Sequence, residues 1–116
     1  MNPRVLIIIT GDPRKSARPA EALRIAAGVG VWKKADITVY LAREAVQVLN
    51  ETADDLMEQE IYAKCWEILA ETGKPVYAAK NADRLRETET TAVAVMEISD
   101  EQLAQLAAEQ TFVMRF

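Results

Sequence analysis

The chain has 116 residues, 50% of them hydrophobic and 28% charged, with a formal net charge of -4. That length supports one core, in which about two-thirds of the unfolded chain's surface is buried on folding, and the apolar content lies far from disordered compositions. Lys and Arg are dispersed rather than gathered into a run, which with the net acidity excludes a nucleic-acid footprint.

The segment RVLIIIT, Arg4 to Thr10, is a continuous run of mostly β-branched apolar residues and predicts a strand covered on both faces. It is too short for a membrane span or a signal h-region, so the chain reads as one cytoplasmic domain over residues 1–116. The break GDPRKS follows, and then ARPAEALRIAAGVGV predicts a helix capped by Ser16 with Pro19 in its first turn. Its Ala20, Leu23, Ile25, Ala26, Ala27 and Val29 wrap most of the circumference, which predicts burial by the sheet on one side and by another helix or subunit on the other. DITVYLA predicts a second strand, and REAVQVLN a short helix ended by Asn50.

ETADDLMEQE is polar and acidic without a period, a loop leading into the helix QEIYAKCWEILAET, which Gly73 closes. KPVYAA is a third, short strand, KNADRLRETET a loop or short polar helix, and TAVAVMEI a fourth strand. SDEQLAQLAAEQ carries a capping box in Ser99 and Gln102 with Leu103, Leu106 and Ala107 on one face, and TFVMRF supplies a fifth strand. Strands separated by helices imply parallel crossovers, so the expected fold is a three-layer α/β domain, a parallel sheet flanked by helices.

In an open parallel sheet, ligands lie outside the carboxyl ends of the strands. The segments there are TGDPRKS, AREA, AAKNADR and EISD, which offer Thr10, Asp12, Arg14, Lys15, Ser16, Arg43, Glu44, Lys80, Asn81, Arg84 and Glu97. The basic part of this rim contrasts with the acidic whole and suits a small anion near helix N-termini; solvated loop residues without a ligand account for it equally well. GVGVWK lacks the third glycine of a dinucleotide fingerprint and ends a helix instead of joining a strand to one, so no cofactor is expected. Asp54, Asp55 and Glu58 precede a helix, where acids serve the dipole, and no metal site is expected. The absence of histidine removes Ser-His and Cys-His catalytic pairs.

RVLIIITGDP, ALRIAAGVGV, ITVYLAREAVQVL, GKPVYAAKNADR and ISDEQLAQLAAEQTFVMRF, taken in that order, resemble the DsrE/DsrF-like family, which includes sulfur-relay subunits of the TusBCD type. The resemblance spans nearly the whole chain. It implies a five-stranded parallel sheet flanked by helices, assembled into dimers, trimers or hexamers. In the sulfur-carrying members a cysteine follows the strand that PVYAA resembles and takes up sulfur as a persulfide. Ala78 stands there in this sequence, or Ala79 if the register slips by one, and neither carries sulfur.

Cys65 is the only cysteine, which excludes an internal disulfide and fits a reducing compartment. Ile61, Cys65, Ile68 and Leu69 share one face of their helix, the spacing of a buried stripe in which a thiol is raised in pKa and inert. Trp66 points about 100° away, which makes one of the two a candidate for a subunit interface. Trp32, Tyr62 and Trp66 otherwise read as core or oligomer contacts. The leading expectation is a non-catalytic, homo-oligomeric domain that binds a small anionic ligand or a protein partner through Thr10, Gly11, Asp12, Arg14, Arg43, Lys80 and Asn81. Its alternatives are a sulfurtransferase or persulfide carrier that uses Cys65, and a purely structural subunit.

Overall fold

In the computed structural model the described residues are 3–32, 35–49, 56–71, 75–80 and 94–116, with the backbone alone at 30–32. The apolar run at the start forms β1 (Arg4–Ile9), followed by α1 (Arg18–Trp32) and β2 (Asp36–Leu41). A 3-10 helix (Arg43–Leu49), α2 (Gln59–Ala70), β3 (Val76–Ala79), β4 (Val95–Ile98), α3 (Asp100–Ala108) and β5 (Phe112–Arg115) complete the order. The five strands form one sheet in the order β4-β3-β2-β1-β5, every neighbouring pair parallel.

β1 is apolar throughout because both of its faces are covered. Alternate side chains of a strand point to opposite faces, and the run divides accordingly. Ile7 and Ile9 enter the larger core with Leu23 and Ala26 of α1, Val46 and Leu49 of the 3-10 helix, and Tyr62, Cys65, Trp66 and Leu69 of α2. Leu6 and Ile8 face the other way, where Tyr40, Ile98 and the half-buried Leu103, Leu106 and Ala107 of α3 form a smaller cluster.

The ends of α3 follow local chemistry closely. Ser99 Oγ accepts from the Gln102 N–H at 3.2 Å while the Gln102 side chain accepts from the Ser99 N–H at 2.8 Å, the reciprocal box its spacing predicts. Ser16 Oγ likewise accepts from the Arg18 N–H at 3.1 Å at the start of α1.

Two expectations change. The segment after β2 winds as a 3-10 helix, in which its buried residues Ala45 and Val48, and Val46 and Leu49, each pair three apart, eclipse one another on the inward side. Trp66 does not reach a subunit interface, because α2 is packed on more than one side. Its ring is buried along with Cys65, and its indole N–H donates to the Val48 carbonyl at 3.0 Å. The expected helix ends at Asn50 and Gly73 lie outside the described residues. Among the described residues no helix is long and apolar enough to cross a membrane.

Candidate functional site

Parallel pairing without slippage brings the carboxyl ends of the strands to one level. Ile9 stands beside Leu41, Leu41 beside Ala78, and Ala78 beside Glu97. Gly11, Arg43, Lys80 and Ser99 therefore follow on one line across adjacent strands, which lie about 4.8 Å apart in a sheet. The Lys80 N–H donates to the Ile98 carbonyl at 2.9 Å and the Ala42 N–H to the Ile9 carbonyl at 3.0 Å, which carries the ladder to the rim. On the far side, the Phe116 carbonyl accepts from the N–H groups of Thr10 and Gly11 at 3.2 and 3.3 Å.

Asp12 builds the first loop. Its carboxylate accepts from the Arg14 N–H at 2.9 Å and its carbonyl from the N–H groups of Lys15 and Ser16 at 3.1 and 3.0 Å, an Asx turn leading into α1. Burial pushes the Asp12 carboxyl up, but the bonds from the Arg14 backbone and side chain, with the charges of Arg14 and Lys15, prevail and hold it below the ordinary carboxylate range. The Arg14 guanidinium bridges Asp12 at 3.5 Å and Glu44 at 3.6 Å, and the Gln47 side chain donates to the Glu44 carboxylate at 2.7 Å. Asp12 and Arg14 thus converge with Glu44 in one polar cluster, while Thr10 and Gly11, next to it in the chain, bond the Phe116 carbonyl instead. Gln47 joins it unforeseen; its place three residues after Glu44 on a short helix was the signal available.

Arg43 and Lys80 are both exposed on this rim. Arg43 has φ 56°, the left-handed region that a non-glycine residue enters at a cost of roughly 1–2 kcal/mol. Asn81 and Arg84 lie outside the described residues, as do Asp54 and Asp55. Glu97 belongs elsewhere: paired with Ala78, it is an exposed residue within β4. Glu58, before α2, makes a 3.8 Å ion pair with Arg24 and also has a left-handed φ of 60°.

Cys65 and Tyr62 sit one helical turn apart in the interior. Burial pushes the Cys65 thiol up, against a smaller opposite pull from Arg24. Burial also lifts the Tyr62 phenol far above its ordinary value, with the nearby Cys65 and Glu58 adding to the effect. Among the described residues the buried Tyr62 hydroxyl has no hydrogen-bond partner, so the folded state carries an unmatched desolvation cost of about 1–3 kcal/mol. Tyr62→Phe is expected to leave stability unchanged or raise it by up to about 1 kcal/mol, read from the urea midpoint. A loss greater than that means the hydroxyl is bonded.

The strand order, the parallel register and the helices on both faces define an open α/β sheet with its polar residues gathered at the carboxyl ends of the strands. The sequence model of the DsrE/DsrF-like family matches residues 3–116, and the chain belongs to that family, which is often involved in sulfur relay. It is similar in fold to the ychN protein from E. coli, whose crystal structure superposes with a TM-score of 0.82 at 23% sequence identity, covering 100% of each chain. No curated protein matches the chain in sequence.

Proposed function

We propose that this DsrE-like protein is a non-catalytic, cytoplasmic homo-oligomer that binds a small anionic ligand, or a protein partner presenting one, at the carboxyl ends of its strands. The observation that carries the reading is Arg43. An exposed arginine held in a strained left-handed conformation needs a reason beyond local folding, since such strain gathers at ligand sites. Its neighbour across the rim is Lys80, and neither makes an ion pair with the described residues, whereas Arg14 is held by two carboxylates. The positions that the family resemblance assigns to sulfur, Ala78 and Ala79, carry no thiol, and Cys65 is buried in the larger core, which supports binding over sulfur transfer.

Titration with inorganic phosphate, followed by amide chemical shifts, tests this. The expected result is movement of the amides of Gly11, Arg43 and Lys80, weakened tenfold or more in Arg43→Ala and Lys80→Ala while both variants stay folded; removing a charge-assisted contact costs about 1.5–3 kcal/mol. Arg43→Gly is expected to bind as weakly and yet to gain up to about 1 kcal/mol of stability, because glycine relieves the strain. Equal affinities in wild type and variants sink the site assignment.

A further inference from the structure

β5 is an edge strand, and all of its residues are exposed. Its register with β1 sorts them between the faces. Val113 and Arg115 stand opposite Leu6 and Ile8 and share the face of α3, whereas Phe112 and Met114 stand opposite Val5 and Ile7 on the face of α1. At 100° per residue, Arg18, Ile25 and Val29 fall on one flank of α1. The Arg18 guanidinium lies 5.9 Å over the Phe116 ring, which turns that flank toward β5; Arg24, on the opposite flank, turns toward Glu58. Ile25 (38% exposed), Val29 (36%), Phe112 (60%) and Met114 (38%) thus form one apolar strip beside the open edge.

The backbone gives the edge a direction. Phe116 donates its N–H to the Ile8 carbonyl and accepts at its own carbonyl from Thr10, so both its main-chain groups face β1. Alternation along the strand then turns the N–H and C=O groups of Val113 and Arg115 outward. The opposite edge of the sheet differs, since an exposed Glu97 stands within β4, the kind of charge that blocks pairing at a sheet edge. β5 has no acid, lysine, proline or bulge, and its one charge, Arg115, meets an apolar residue rather than a like charge in the pairing below.

We propose that a second copy of this chain covers the strip by pairing β5 antiparallel to β5 about a two-fold axis at Met114, so that the two sheets continue into one. The inference rests on the homo-oligomer in the proposed function and names its surface. A two-fold at Met114 sets Val113 opposite the partner's Arg115 in both directions, which uses every outward N–H and C=O and keeps the arginines apart. On the α1 face it sets Met114 against its own copy and Phe112 against the partner's Phe116, an aromatic pair beside Arg18. A two-fold at Arg115 would oppose like charges. Such an isologous contact needs one self-complementary patch, and this strip is one. Its apolar side chains, with Val113, expose roughly 400 Å² per copy, already a patch of the size that marks interaction sites, and the paired backbones with the rim of Arg18, Arg115 and Gln110 extend it toward the roughly 1,200 Å² of a specific interface. Since Phe116 also accepts from Thr10 and Gly11, the contact reaches the candidate ligand rim.

Sedimentation equilibrium of the full chain at tens of micromolar tests the proposal. Phe112→Glu and Met114→Glu change exposed side chains, so circular dichroism is expected to stay native while the assembly mass falls twofold. Met114→Cys is expected to oxidise to a disulfide-linked dimer across the axis, whereas Met96→Cys on the other edge is not; the buried Cys65 leaves wild type as the blank. An assembly whose mass is unchanged in both Glu variants, or one in which Met114→Cys does not cross-link, overturns this surface and leaves the homo-oligomer standing. A monomeric wild type overturns both.

Discussion

Replacing Trp66 by alanine is expected to cost about 3–5 kcal/mol of stability, the range for truncating a large buried aromatic. The ring fills the space between α2 and the 3-10 helix, so its removal leaves a cavity that rigid neighbours on several sides cannot close. It also removes the donor to the Val48 carbonyl. A domain of this size has about 5–15 kcal/mol in total, so the variant stands near unfolding at physiological temperature. Trp66→Phe separates the two contributions: it keeps most of the packing and orphans the carbonyl, for an expected loss of about 1–3 kcal/mol. Urea unfolding followed by circular dichroism gives both values. A loss below about 1 kcal/mol for alanine means that α2 is not packed as described. The effect extends to the rim, because the 3-10 helix that Trp66 anchors begins at Arg43.

The Cys65 thiol is expected to react with a thiol reagent about a thousandfold or more slowly in the native protein than in denaturant, since reaction waits on an opening whose free energy approaches that of unfolding. It is 5% exposed and packed in the larger core. The same burial sets a pH dependence. A thiol whose pKa is raised by folding contributes its full stability below the unfolded value, near 8.5, and loses it as pH rises through the higher folded value. Tyr62 repeats the pattern from about pH 10, the ordinary phenol value. The urea midpoint should therefore hold steady from about pH 6 to 8 and fall above about pH 9, with Cys65→Ala removing the first part of the fall. A native rate close to the denatured one, together with a persulfide adduct by mass spectrometry after treatment with a low-molecular-weight persulfide, which passes its outer sulfur to the thiolate and leaves as its own thiol, restores the sulfur-carrier reading.

Features governed by near neighbours in the chain were legible in advance. The apolar run of β1 announced two covered faces, the spacing of Ser99 and Gln102 announced their reciprocal cap, and the stripe through Cys65 announced a buried thiol. The segment after β2 was legible as helical but not as a 3-10 helix, because Ala45, Val46, Val48 and Leu49 suit either winding until the walls around them choose. That both Cys65 and Trp66 are core, leaving neither for a subunit interface, was not legible for a similar reason. The angle between them follows from the sequence, but the width of the buried arc depends on which elements press against α2.

At the rim, the rule that ligands gather at the carboxyl ends of parallel strands selected Thr10, Asp12, Arg14, Arg43 and Lys80 from the residue string. Their electrostatic states came from contacts between distant segments. Glu44 reaches Arg14 from the end of another strand and occupies a guanidinium that otherwise reads as free, and the strain at Arg43 has no signature in its neighbours. By itself the sequence determined the element types, the caps at Ser16 and Ser99, the parallel sense of the sheet and the polar character of its rim, because helix and strand periodicity, capping and crossover handedness act over a few residues. Only the tertiary structure decided that β5 lies beside β1 at an open edge, that an apolar strip runs along it, and which rim charges are already paired. Those depend on strand order and register, which bring together groups that chain connectivity leaves far apart.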